Sequence, residues 1–184
     1  MRLVVAITGA SGAIYAQRLL DNLRGHEMHL LISDQASEVI AVELDGGALR
    51  LPDGVVRYDN KSMRAPFVSG STRFDAMVVI PCSMGTLGRI ANGCSDDTIA
   101  RAADVFLKER RRLILVPRET PYNLIHVRNM AQLIEAGADI IPASPSFYSR
   151  PQTTQQVADT IVARVLDHLG VEHPLGKRWM QEES

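Results

Sequence analysis

Apolar residues fall along the chain in short, nearly unbroken runs, separated by longer stretches with helical spacing. The runs at 2–8, 28–33, 76–81, 113–117 and 138–142 are rich in Val, Ile and Leu, as in strands buried on both faces. Between and after them, the spacing predicts helices over 13–24, 35–44, 84–91, 97–110, 123–136 and 153–169. Gly93, Gly137 and Gly170 stand where helices are expected to end. Residues 45–60 read as a loop with Gly46-Gly47 and Pro52-Asp53-Gly54, and with one short strand at 55–58. Strands alternating with helices imply an α/β fold, a Rossmann-like three-layer sandwich with a mostly parallel central sheet.

Composition narrows the picture. The chain has 184 residues, 46% hydrophobic and 22% charged, enough for one globular domain over 1–170 and a tail over 171–184. Twenty Lys+Arg against 21 Asp+Glu give a net charge of −1, so no electrostatic case exists for nucleic acid or a polybasic membrane contact. The apolar start breaks at Thr8-Gly9-Ala10-Ser11-Gly12, too early for a secretory core, and no run reaches the length of a membrane span. Cys82 and Cys94 lack disulfide or zinc spacing, which is consistent with free thiols in a cytoplasmic protein. The five histidines show no metal spacing and Asp96-Asp97 has no partner carboxylates in sequence, so no metal is expected.

Ligands on such sheets bind beyond the carboxyl ends of the strands. Gly9-Ala10-Ser11-Gly12 follows a strand and opens a helix, where free N–H groups and the helix dipole favour an anion. Tight turns also need glycine for steric reasons alone. Asp34, ending the second strand, suits a ribose-binding acid, which keeps a nicotinamide-dependent reductase open, although no Tyr-x-x-x-Lys pair supports one. Pro81-Cys82-Ser83-Met84-Gly85-Thr86 offers hydroxyls at a second strand-to-helix turn, or simply a serine cap. In Pro117-Arg118-Glu119-Thr120-Pro121, an arginine suited to a phosphate stands beside a carboxylate suited to proton transfer, although a plain surface turn would look alike. Arg101 and Lys108 share one helix face, and Arg164 flanks the apolar stripe of the last helix, where snorkelling is the alternative reading. Glu43 ends a helix, where the dipole disfavours a carboxylate.

In this order and spacing the motifs resemble the flavin prenyltransferases of the UbiX/Pad family over nearly the whole chain. The resemblance rests on Thr8-Gly9-Ala10-Ser11-Gly12-Ala13-Ile14-Tyr15, Pro81-Cys82-Ser83-Met84, Arg101-Ala102-Ala103-Asp104 and Leu107-Lys108-Glu109-Arg110-Arg111. Pro117-Arg118-Glu119-Thr120-Pro121, and Phe147-Tyr148 followed by Arg150-Pro151-Gln152, complete it. It implies transfer of the dimethylallyl group of dimethylallyl monophosphate to N5 and C6 of reduced FMN, without a metal, giving prenylated FMN for UbiD-type decarboxylases. By the same resemblance, Gly9, Ala10, Ser11, Ser33, Ser83, Met84, Gly85, Thr86 and Arg118 hold FMN. Lys108, Tyr148, Arg164 and Ser11 surround the prenyl phosphate, with Glu43 and Arg101 organising them. Glu119 handles protons, and Trp179 in the tail closes over the site. Gly85 stands where many relatives carry lysine. The family also implies a homo-oligomer, commonly a dodecamer, with sites at subunit boundaries. The alternatives are an FMN-dependent decarboxylase of related fold, though Tyr15 occupies the region of its expected histidine, and a non-catalytic flavin carrier.

Overall fold

The computed structural model describes residues 1–175. Among them, one sheet contains β1 (Arg2–Ile7), β2 (Glu27–Ile32), β3 (Val56–Asp59), β4 (Ala76–Cys82), β5 (Arg112–Pro117) and β6 (Asp139–Ile140). The order is β3-β2-β1-β4-β5-β6, and every neighbouring pair is parallel. The helices are α1 (Ala13–Asn22), α2 (Asp34–Glu43), α3 (Met84–Ala91), α4 (Thr98–Lys108), α5 (Leu124–Glu135) and α6 (Thr154–Leu169).

Alternation along the strands builds the two cores. Leu3, Val5 and Ile7 pack with α1, α2 and α6, whereas Val4 and Ala6 pack with α3, α4 and α5. Because both faces are covered, the central strands need continuous apolar runs, and this is why the runs were readable. Complete burial of each such side chain contributes about 1.5–3 kcal/mol.

Element ends differ from the sequence reading by a residue or two, for local reasons. Asp97, Asn123 and Thr153 are caps rather than first helical residues, accepting N–H bonds from Ala100, His126 and Gln156 at 2.7, 2.9 and 3.1 Å. The expected strand at 138–142 shortens to two residues because Pro142 has no N–H to give the ladder. The chain nevertheless stays beside β5, with Ile141 N–H on Leu115 O and Ala143 N–H on Pro117 O, both at 2.9 Å. The helix α5 is unusual. Only its Leu133 is buried, while Leu124, Ile125, Val127 and Ile134 are exposed.

Candidate functional site

The sheet winds outward in both directions from β1 and β4, so their carboxyl ends frame a crevice at the switch point. Buried Thr8 joins its two walls. Its hydroxyl donates to the Pro81 carbonyl at 2.9 Å and accepts the Ser83 N–H at 2.7 Å. Beside it opens a cavity of about 710 Å³, lined by Gly9, Ser33, Asp34, Gln35, Asn60, Lys61, Ser83, Gly85, Thr86, Arg89, Asp96 and Asp97. That volume lies in the range of ligand sites.

Three helices begin on this cavity: α2, α3 and, through its cap Asp97, α4. Ser33 caps α2 by accepting the Ala36 N–H at 3.2 Å, and Ser83 caps α3 by accepting the Thr86 N–H at 3.3 Å. The earlier N–H groups of each first turn have no acceptor within their helix and suit an anion. Gly9 lies so close to α2 that a Cβ there would stand 2.5 Å from Gln35 Cβ. A Cβ on Gly85 would meet nothing within 4 Å, so that part of the wall is bare.

The N-terminus of α1, where the glycine-rich turn suits an anion, is filled by the protein itself. Gly12, at φ 115°, and Ala13 both donate their N–H groups to Glu43 Oε2 at 2.8 Å. Glu43 at the end of α2 therefore caps α1 from a distance, and this resolves its conflict with its own helix dipole. Burial opposes its charge, but bonds from the Ser11 hydroxyl and the Gly12 and Ala13 N–H groups, with Arg118 nearby, hold its carboxyl below the usual range. Arg118 Nε donates to the Ser11 carbonyl at 3.1 Å. Partial burial pushes the Tyr15 hydroxyl up against the opposing pull of Arg118, so it stays protonated near neutrality. Glu119 is half-buried and accepts the Thr120 N–H at 3.0 Å. Ser11, Glu43, Arg118 and Glu119 thus gather at the carboxyl edge, while Gly9, Ser33, Ser83, Gly85 and Thr86 line the crevice. Ala10 is buried beneath the first turn and Met84 packs partly against the core.

Of the remaining candidates, Arg101, Lys108, Tyr148 and Arg164 are not among the residues that line this cavity. Arg101 is held by the Val68 carbonyl at 3.3 Å and Asp104 at 2.7 Å. Lys108 pairs with Glu109 at the far end of α4, a helix whose cap Asp97 lines the crevice. Ten residues of helical rise put about 15 Å between Lys108 and the start of α4. Arg164 lies on the exposed face of α6, and Tyr148 is 86% exposed in the loop after β6. Trp179 lies outside the described residues.

Several lining residues escaped the sequence reading. Arg89 Nη2 lies 3.1 Å from Asp97 and 3.3 Å from the Thr86 hydroxyl, and its place four residues after Gly85 on one helix face was the available signal. Lys61 pairs with Asp34 at 2.6 Å across the cavity, which raises its pKa. It follows the short edge strand and carries no motif. Complete burial pushes the Cys82 thiol up to about 12, so it supplies no thiolate near neutrality.

Such a sheet, with capped helix ends facing a polar cavity at the switch point, defines an α/β protein whose crevice suits a phosphorylated ligand. The family model Flavoprotein matches residues 1–166. A flavin prenyltransferase UbiX of Thermoplasma acidophilum is 48% identical over 180 residues, covering 97% of this chain and 100% of that one. The UbiX of Methanocaldococcus jannaschii is 46% identical over 181 residues, covering 97% and 98%. The crystal structure of AnUbiX (PadA1) in complex with FMN and dimethylallyl pyrophosphate superposes with a TM-score of 0.92 at 42% identity, covering 99% of this chain and 98% of that one. The chain belongs to the flavoprotein family and, within it, to the UbiX-type flavin prenyltransferases.

Proposed function

We propose that this protein transfers the dimethylallyl group of dimethylallyl monophosphate to N5 and C6 of reduced FMN, with release of phosphate. The observation that carries the reading is the near-full-length match to AnUbiX, whose crystal structure holds FMN and dimethylallyl pyrophosphate together. The residues present fit a flavin nucleotide. The bare wall at Gly85, the close backbone approach at Gly9 and the first-turn N–H groups of α2 and α3 suit an anion on a flat aromatic body. The flavin supplies the nucleophile, and the chain supplies orientation and charge. Ser33 and the 83–86 turn hold the nucleotide, and Arg118 lies at its reacting end. Glu119 moves the proton that ring closure requires. Glu43 and Ser11 fix the turn beside the leaving phosphate.

Departure of an allylic phosphate needs fixed cations and donors at its oxygens. Lys108, Arg101, Arg164 and Tyr148 have that chemistry but do not line the cavity of their own chain. A second copy supplies them in this reading. The exposed Leu124, Ile125, Val127 and Ile134 on α5, together with exposed Phe147, favour self-association, since apolar groups concentrated on one helix are better buried. A dodecameric FMN-dependent UbiX-like decarboxylase from Escherichia coli O157:H7 has the same fold, with a TM-score of 0.91 at 42% identity, covering 99% of this chain and 100% of that one. We assign this chain a homo-oligomer of the same kind, a tail over 171–184 whose Trp179 serves the site, and a UbiD-type decarboxylase as the user of its product.

The test is to mix the purified protein, reduced FMN and dimethylallyl monophosphate without oxygen. The flavin mass should rise by one isoprene unit as phosphate is released. Unchanged flavin would refute the reading.

A further inference from the structure

Arg164 does not stand alone on the surface of α6. Its Nη1 donates to Asp167 Oδ2 at 3.1 Å, one turn further along the same face. The other oxygen of that carboxylate, Oδ1, lies 3.2 Å from Nε2 of His173, which follows the αL cap at Gly170. The exposures run in sequence. The Arg164 side chain is 62% exposed, Asp167 32% and His173 4%. An exposed surface cation is thereby tied, through a carboxylate engaged on both oxygens, to an imidazole enclosed by protein.

The geometry also assigns the tautomer. His173 Nδ1 accepts the Leu175 N–H at 3.2 Å, so Nδ1 carries no proton. The proton of the neutral ring is on Nε2 and is donated to Asp167. The same ring fastens residues 173–175 back onto α6, so the start of the C-terminal segment and the Arg164 guanidinium share one anchor.

We infer that His173 is a positioning residue for the prenyl-phosphate site, acting through Asp167 to hold the Arg164 guanidinium in one orientation. An arginine on an exposed helix face otherwise loses considerable rotamer freedom on gripping an anion. Pre-orientation removes part of that cost and sets the fork toward an incoming phosphate. Asp167 is shared rather than fully neutralising, because His173 draws on one of its oxygens. Arg164 keeps its remaining donors for the ligand. This inference rests on the assignment of Arg164 to the donor phosphate made above.

The experiment is steady-state prenylation of reduced FMN by the assembled protein, comparing His173→Phe, His173→Gln, Arg164→Ala and the double variant His173→Phe/Arg164→Ala. We expect His173→Phe to raise the KM for dimethylallyl monophosphate about tenfold, the usual weight of a hydrogen bond to a charged group, with FMN affinity unchanged. His173→Gln, whose amide N–H can still reach Asp167, should restore most of the loss. In the Arg164→Ala background the phenyl substitution should change KM less than about twofold, because the group that Asp167 orients is gone. An equal effect of His173→Phe in both backgrounds overturns the inference, as does a normal KM in His173→Phe beside a raised KM in Arg164→Ala. A normal KM in Arg164→Ala overturns both the inference and the assignment on which it rests. If the phenyl ring unseats the segment, Asp167→Asn provides the second reading and should raise KM in the wild-type background only.

Discussion

The crevice at the carboxyl ends of β1 and β4 and the cations of α4 and α6 differ in what fixes them. The crevice is held by side chains bonded to backbone groups: Thr8 joins the two turns, serines cap α2 and α3, and Glu43 fills the end of α1. Lys108, Arg101 and Arg164 are held by side-chain pairs on partly or largely exposed helix faces, outside the lining of that crevice. In our account the fold of one chain determines the flavin half of the site. The phosphate half depends, in our account, on how chains assemble.

Substitutions separate the two halves. Lys108→Ala is expected to lower kcat/KM by about 10²-fold, the scale for removing one transition-state donor, while FMN binds within about twofold of wild type. Parallel loss of FMN affinity, read by fluorescence titration, would put Lys108 in the flavin half. Gly9→Ala strikes the other half, since its Cβ would overlap Gln35 Cβ at 2.5 Å. We expect it to weaken FMN binding and to cost about 1–3 kcal/mol in urea unfolding, as overpacking does.

Glu43→Ala removes the remote cap of α1 and should cost about 1 kcal/mol. Its folded carboxyl titrates below the unfolded one, so its stabilisation is complete above the ordinary carboxylate range and disappears as pH falls through the lower folded value. Unfolding measured across acidic pH should therefore show wild type and Glu43→Ala converging toward low pH. The smallest effect is expected at the bare wall. Gly85→Lys meets no steric obstacle and should tighten FMN binding less than about tenfold at low salt, with the gain shrinking as salt rises. Weaker binding would show that the open space at Gly85 is occupied by the flavin itself.

The same division explains what the sequence disclosed. The sheet was legible because strands covered on both faces must be continuously apolar. The crevice was legible because the topology puts every strand-to-helix turn at one edge. Apart from the resemblance, Glu43 appeared as a misplaced charge, since its partners Gly12 and Ala13 are about thirty residues away and become adjacent only when α2 packs beside α1. Lys61 and Arg89 carried no motif, and their place in the cavity follows from the edge strand and from helix phase. Arg101, Lys108 and Arg164 were named through resemblance, and nothing in the intrachain pattern could say whose crevice they serve.

The most direct test of a divided site is complementation between two crippled variants. Arg118→Ala damages the flavin half and Lys108→Ala the phosphate half. The two are unfolded together, reassembled at equal amounts and assayed for prenylated FMN. If neighbouring copies complete each site, about a quarter of the sites in random mixed oligomers regain both groups, and activity returns toward that level. If each chain carries a whole site of its own, every site lacks one group and the mixture stays as inactive as its parents, which would contradict the account.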